Sequence, residues 1–203
     1  MRERDPAQPD EDAELMERVG HGERAAFARL YDRNARAVVS FAYRFVQDRA
    51  RAEELAQEIF LKVFRSAPSY QRTARFRTFL FRIAANHCLN ERRRGEYRSE
   101  VGGGDERAAE LPSPDRPDEG AAGRDLERAL GEALAALPER ERAAFVLCRL
   151  EGMPYREIAA TLDTTEPAVK SLIHRATVAV AARLAPVVGA NPLEAARARQ
   201  ERP

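Results

Sequence analysis

The chain has 203 residues, 44% of them hydrophobic, which is enough for one large or two small domains with real cores and excludes a wholly disordered protein. No apolar run approaches the roughly 18 residues of a membrane span, and the start, MRERDPAQPDEDAE, has no signal-peptide stretch; both predict a cytoplasmic protein without membrane insertion. A net charge of +1 hides segregation along the chain: residues 21–98 carry 17 Lys/Arg against 8 Asp/Glu and residues 99–125 carry 3 against 8, a layout that suits a local polyanion contact.

Residues 1–11 read as a disordered N-terminus. In the domain that follows, 12–98, Phe27, Leu30, Tyr31, Val38, Phe41 and Phe45 recur at helical spacing and predict one long amphipathic helix. A second helix is predicted with Asp48 as its N-cap and with Ala52, Leu55, Ala56, Ile59, Phe60 and Val63 on one face; Pro68 ends it. After the polar loop SAPSYQRTAR, a third helix carries Phe76, Phe79, Leu80, Ile83, Ala84 and His87 inward.

The stretch 99–125 combines Gly, Pro, Ser and acidic residues without apolar periodicity, so it reads as a flexible acidic linker. The second domain, 126–184, opens with a helix striped by Leu126, Leu130, Leu134 and Leu137. Pro138 sits at the first position of the next helix, and Gly152 closes that one. Then PYREIAATLDTTEPAVKSLIHRA reads as a short helix, a polar corner and a longer helix: a helix-turn-helix. Val169, Leu172, Ile173, Ala176, Val180 and Leu184 form its inner stripe, leaving Lys170, Ser171, His174, Arg175 and Thr177 outward. Residues 185–203 read as a tail with a short helix from Leu193. Nothing has the alternation of a strand, so the fold class is all-α: two small helical domains joined by the linker.

Two segments carry chemistry. In RFRTFLFRIAANHCLNERRR, six arginines (Arg75, Arg77, Arg82, Arg92, Arg93 and Arg94) interleave with Phe76, Phe79 and Phe81 against the single acid Glu91. Phe76 and Phe79 have a core role, yet a basic track beside aromatic faces also suits single-stranded DNA, whose bases stack while its phosphates are neutralised. In RAEELAQEIFLKVF, Glu53, Glu54, Gln57 and Glu58 lie with Leu61 and Phe64 on an outer face. That mixture suits either plain solvent or a protein partner with a basic, partly apolar surface.

Catalysis finds no support. His21, His87 and His174 are isolated, no Gly-rich phosphate loop is present, and no Cys or Ser stands in a motif with a base, so neither enzyme activity, a cofactor nor a metal is expected. Cys88 and Cys148, far apart in apolar patterns, read as buried thiols.

In AEELAQEIFLKVF, FRTFLFRIAANHCLNERRR and ALAALPERERAAFVLCRLEGMPYREIAATLDTTEPAVKSLIHRA, taken in that order with an acidic linker before the third, the chain resembles the extracytoplasmic function (ECF) sigma factors. The resemblance covers roughly residues 12–98, as sigma region two, and 126–184, as region four. It implies a promoter-specificity subunit whose partners are core RNA polymerase, promoter DNA and an anti-sigma factor. It further implies that Glu54, Gln57, Glu58 and Phe64 lie on the helix that docks on the polymerase clamp helices. Tyr70, Arg75, Phe76, Thr78, Phe79, Arg82 and Asn86 are implied around the loop and helix that open the minus ten element and hold a flipped base, and the linker is implied to thread toward the active centre and RNA exit path.

For the minus thirty-five element the candidates are Lys170, Ser171, His174 and Arg175, with Thr165 as helix N-cap and Tyr155 on the preceding helix. Phe79 stands where the family usually has Trp, Glu54 where it has Asp, and Leu172 and Thr177 where Arg is frequent. A sparse recognition face is workable when polymerase holds both domains, because the second contact then forms at high effective concentration. The alternative reading is a free-standing helix-turn-helix regulator that binds an operator as a dimer.

Overall fold

The computed structural model describes residues 10–101 and 121–188. Helix α1 (Glu11–Gly20) begins where the Asp10 side chain accepts the Ala13 amide N–H at 3.2 Å, and Glu11, Asp12 and Glu14 in its first turn suit the positive end of the helix dipole. It was not foreseen, and its cap places ordered chain at residue 10, inside the stretch expected to be disordered. Its apolar face, Leu15, Met16 and Val19, is short enough to escape a periodicity argument. A Cβ at Gly20 would lie 2.7 Å from the Ala67 carbonyl oxygen, so only glycine lets the end of α1 approach the turn after the third helix.

Helix α2 (Arg24–Val46) buries Leu30, Val38, Phe41 and Phe45, and ends at Gln47 in the left-handed region (φ 54°). Helix α3 (Arg49–Ser66) starts where Asp48 accepts the Arg51 N–H at 2.8 Å, and its six expected core residues, Ala52 to Val63, are all buried. A 3-10 turn at Ala67–Ser69, with Pro68 inside it, stops the helix. Helix α4 (Phe76–Val101) then packs Phe76, Leu80, Phe81, Ala84 and Cys88 against α2 and α3. Here the expectation needs a correction: Phe81 is fully buried, its ring 5.3 Å from that of Phe41, whereas Phe79 is only half-buried. Burial pushes the Cys88 thiol up to about 12.

The second bundle comprises α5 (Ala121–Ala135), α6 (Glu139–Phe145) continued by a π turn (Val146–Leu150), α7 (Tyr155–Thr161) and α8 (Glu166–Val188). Leu134, Leu137, Ala144, Leu147, Ile158, Val169, Ile173 and Ala176 form its core. Leu126 does not join them; it lies on the first turns of α5 and is 41% exposed. Gly152 takes φ +66° between the π turn and α7, a turn that disfavours any side chain. Pro138 precedes α6 as its cap residue. Among the described residues, helical backbone reaches Val101 in α4, spans Ala121–Ala135 in α5 and reaches Val188 in α8. The proposed short helix from Leu193 lies outside the described residues.

Helix α8 also corrects the reading of apolar runs, because it is long and apolar enough to cross a membrane by length and composition. Its stripe of Val169, Ile173, Ala176 and Val180 is buried against α5, α6 and α7, and Arg175 and Arg183 interrupt the remainder. No strand occurs among the described residues.

The two bundles touch. Helix α7 packs on α4, and α5 packs on α2. Arg142, fully buried, donates to the Leu137 carbonyl at 3.1 Å within its own bundle and to the Phe45 carbonyl at 3.3 Å across the boundary, with its guanidinium 5.7 Å from the centre of the Phe45 ring.

Candidate nucleic-acid interface

At the head of α4 the chain leaves a cavity of about 280 Å³ between the 3-10 turn, the following loop and the first two turns of the helix. Of the seven residues expected at the minus ten element, Tyr70, Thr78, Phe79 and Arg82 line it. Ser66, Ser69, Gln71, Thr73 and Ala74 complete its loop side, and Ala160 of α7 closes one edge. Sequence reasoning had these loop residues only as a polar connection; their hydroxyl and amide content was the available signal.

The aromatic wall is built in layers. Phe76 is fully buried and supports Phe79 (ring centres 6.1 Å) and Tyr70 (6.4 Å), while the Tyr70 and Phe79 rings meet edge to face at 5.0 Å. Burial pushes the Tyr70 phenol up to about 12, with the Asp10 charge nearby adding to the effect, so it stays protonated. Its hydroxyl is buried with no hydrogen-bond partner among the described residues. Thr78, Arg82 and Asn86 follow at i, i+4 and i+8 on one face of α4, with Arg82 and Asn86 exposed and Arg75 half-buried at the helix start. Aromatic edges, hydroxyls, an amide and a guanidinium on one face can stack a base and neutralise its phosphates.

A second surface lies between α2 and α3. Phe27, Tyr31, Phe60, Leu61 and Phe64, flanked by Arg24 and Gln57, line a groove of about 510 Å³. Phe27 meets Phe64 at 5.0 Å and Tyr31 meets Phe60 at 4.7 Å, yet Tyr31 (37%), Leu61 (47%) and Phe64 (43%) remain exposed. Such contiguous apolar exposure suits a protein contact. Of the four residues expected to dock, Gln57 and Phe64 line this groove, whereas Glu54 and Glu58 turn away from it. Glu54 accepts from Arg51 at 2.8 Å, and Glu58 reaches both Arg51 (3.5 Å) and His87 Nε2 (2.7 Å). Lys62 Nζ stands 2.6 Å from His87 Nδ1 and can only donate, so Nε2–H donates to Glu58 and ties α3 to α4.

The helix-turn-helix is α7, the turn and α8. Thr165 Oγ1 accepts the Ala168 N–H at 3.4 Å and its carbonyl accepts that of Val169 at 2.9 Å, with Pro167 in the first turn where a missing N–H breaks no bond. Arg140 fixes the turn by donating to the Leu162 carbonyl at 2.7 Å. Lys170, Ser171 and His174 are exposed, as is Arg175, which is engaged by Glu141 at 2.7 Å; Tyr155 is half-buried. Thr177 donates to the Ile173 carbonyl at 2.7 Å and is half-buried rather than outward. Ser171 likewise donates to the Pro167 carbonyl at 3.1 Å, so among these exposed residues Lys170 and His174 are the ones no such contact engages.

Between the bundles, Thr78 donates to Glu157 Oε2 at 2.6 Å, and Arg77 donates to the carboxylate and backbone carbonyl of Glu151. Burial pushes the Glu151 carboxyl up, opposed by Arg77 and Arg44.

Residues 30–97 match the family model "Sigma-70 region 2" and residues 127–179 match "Sigma-70, region 4". The chain is 32% identical over 190 residues to the RNA polymerase sigma-H factor of Pseudomonas aeruginosa, covering 88% of this chain and 96% of that protein. It is 41% identical over 150 residues to the ECF RNA polymerase sigma factor SigE of Mycolicibacterium smegmatis, covering 72% of this chain and 56% of that one. The solved structure of CnrH in complex with the cytosolic domain of CnrY is similar at a TM-score of 0.64 and 26% identity, over 85% of this chain and 96% of CnrH. RpoE of Bartonella quintana, solved with the anti-sigma factor NepR, shares the fold at a TM-score of 0.65 and 21% identity, over 81% and 98%.

Proposed function

This chain belongs to the ECF sigma factors of bacterial RNA polymerase, and from that premise we propose how its surfaces divide the work of promoter recognition. It serves as a promoter-specificity subunit that binds core polymerase and promoter DNA. Region two, 12–98, docks on polymerase through the α2–α3 groove and opens the minus ten element at the head of α4. Region four, 126–184, reads the minus thirty-five element through Lys170, Ser171 and His174, with Tyr155, Thr165 and Arg175 around them, and the linker 99–125 joins the two.

The observation that carries this reading is the cavity lined by Tyr70, Thr78, Phe79 and Arg82. Flipping a base costs a few kcal/mol of unstacking, which stacking against Phe79 and a hydrogen bond from the Tyr70 hydroxyl return. The subunit contributes specificity and strand opening rather than bond-making chemistry, and it works in the cytoplasm. We place an anti-sigma factor among its partners; CnrH, 26% identical to this chain, was itself solved with a bound protein, the cytosolic domain of CnrY. In vitro transcription with core polymerase on a randomised promoter library tests the whole reading: selection of one two-part element is expected. Tight operator binding as a dimer without polymerase would favour the regulator alternative.

A further inference from the structure

Helix α6 reaches the helix-turn-helix with two neighbouring side chains. Arg140 donates to the Leu162 carbonyl at 2.7 Å and holds the corner between α7 and α8. Glu141, the next residue, accepts the Nε–H of Arg175, 34 positions along the chain, at 2.7 Å. The two ends of that bond differ in kind. The Glu141 side chain is 13% exposed and stands on a helix that packs against α8 and is pinned by the buried Arg142, which donates to the Ala135 and Leu137 carbonyls. The Arg175 side chain is 56% exposed, and the bond occupies only its Nε–H, one of five guanidinium donors. An ion pair this open to water contributes little to folding, so its consequence lies in where it holds the guanidinium.

The position of Arg175 on α8 decides what that guanidinium meets. Lys170 and Arg175 are the only Lys or Arg of α8 before Arg183. Arg175 lies one turn beyond Ser171, beside the line formed by Lys170 and His174. The first turns of a recognition helix meet base edges, so a cation beside and beyond them meets the phosphates along the groove wall. A free arginine gives up rotamer freedom when it takes a phosphate. One already held by its Nε gives up less, and its terminal amino groups stand ready as a fork for two phosphate oxygens.

We infer that Glu141 is a positioning residue for minus thirty-five recognition: it holds Arg175 so that the terminal amino groups meet a backbone phosphate, and that contact fixes the register in which Lys170 and His174 meet the bases. The inference rests on the assignment of α8 to the minus thirty-five element. Glu141 itself touches no DNA and acts only through Arg175. Its negative charge repels the duplex, and the gain from aiming Arg175 outweighs that repulsion.

The test uses the full chain with core polymerase and a duplex carrying the two elements that the parent holoenzyme selects from the randomised promoter library, with affinity measured across salt concentrations. Arg175→Ala is expected to weaken binding about tenfold and to reduce the salt slope by about one unit. Glu141→Ala is expected to weaken it about fivefold, and in the Arg175→Ala background to change nothing further, because its effect passes through Arg175. Glu141→Gln, whose amide oxygen still accepts the Nε–H, is expected to stay within about twofold of the parent. Should Glu141→Ala lose its circular dichroism, Glu141→Asp, which keeps the charge but draws it back by one methylene, is read in its place. The inference is overturned by Glu141→Ala binding as tightly as the parent, by an equal further loss in the Arg175→Ala background, or by Glu141→Gln binding as weakly as Glu141→Ala. Full affinity of Arg175→Ala while Lys170→Ala binds weakly also overturns it and leaves the assignment of α8 standing. Full affinity of Arg175→Ala, Lys170→Ala and His174→Ala alike overturns that assignment itself.

Discussion

Asp10 and Phe76, 66 positions apart, are joined by a 2.7 Å hydrogen bond from the Phe76 amide to Asp10 Oδ2, while the other oxygen of the same carboxylate caps α1. One side chain therefore starts two helices, and it places a negative charge at the positive end of α4.

Asp10→Ala removes both caps and leaves the part-buried Phe76 N–H without its acceptor. A loss of about 1 to 3 kcal/mol in urea unfolding is expected. Asp10→Asn keeps one acceptor oxygen and should lose less. An alanine variant as stable as the parent would show that neither cap contributes.

The α2–α3 groove carries the second expectation. Leu61 and Phe64 are nearly half exposed, so Leu61→Arg and Phe64→Ala should each change folding stability by less than about 1 kcal/mol. Both should weaken binding to core polymerase at least about tenfold, since exposed apolar anchors dominate such contacts. Pull-down of core polymerase, with circular dichroism as the folding control, checks this. Glu54→Ala, whose carboxylate faces Arg51 instead, should bind close to normally.

On α8, Lys170 lies at the flank and His174 nearer the middle of the exposed face. Lys170→Ala should weaken polymerase–promoter complexes across all minus thirty-five sequences and reduce the salt slope by about one unit. His174→Ala should lose roughly 1 to 3 kcal/mol of preference at one base position. Selection from a randomised minus thirty-five library separates the two effects; an unaltered consensus with His174→Ala removes it as a reader.

Glu151 makes stability depend on pH. Its carboxyl is raised by burial, with Arg77 and Arg44 pulling the other way. Between its unfolded and folded values the folded chain binds more protons than the unfolded one, so this group's contribution falls as pH rises through that window, just above the ordinary carboxylate range. Urea midpoints measured across mildly acidic pH should show that fall in the parent chain and a flatter profile in Glu151→Gln. Parallel profiles would show that Glu151 is not desolvated in the folded chain.

Much of this was legible in the residues because helix α3 is a simple case: one face buried against one bundle, with Asp48 as cap, so period and cap residue settle it. Helix α4 is packed on two sides, by α2 and α3 and by α7, so a single stripe misjudged Phe79 and Phe81. The outer face of α3 was only partly legible for a related reason. Periodicity shows which side of α3 is outward, but the turn of Glu54 and Glu58 toward Arg51 and His87 depends on side chains from a neighbouring turn and another helix. Contacts such as Thr78 with Glu157, 79 positions apart, leave no local trace at all.

The most direct test of the account is permanganate reactivity of minus ten thymines in the polymerase–promoter complex formed with Asn86→Ala. Asn86 is exposed on the same face as Thr78 and Arg82, so the variant folds and docks as the parent does. Strand opening is predicted to drop several-fold while polymerase pull-down stays unchanged. Full thymine reactivity with the variant would contradict the placement of strand opening at the head of α4.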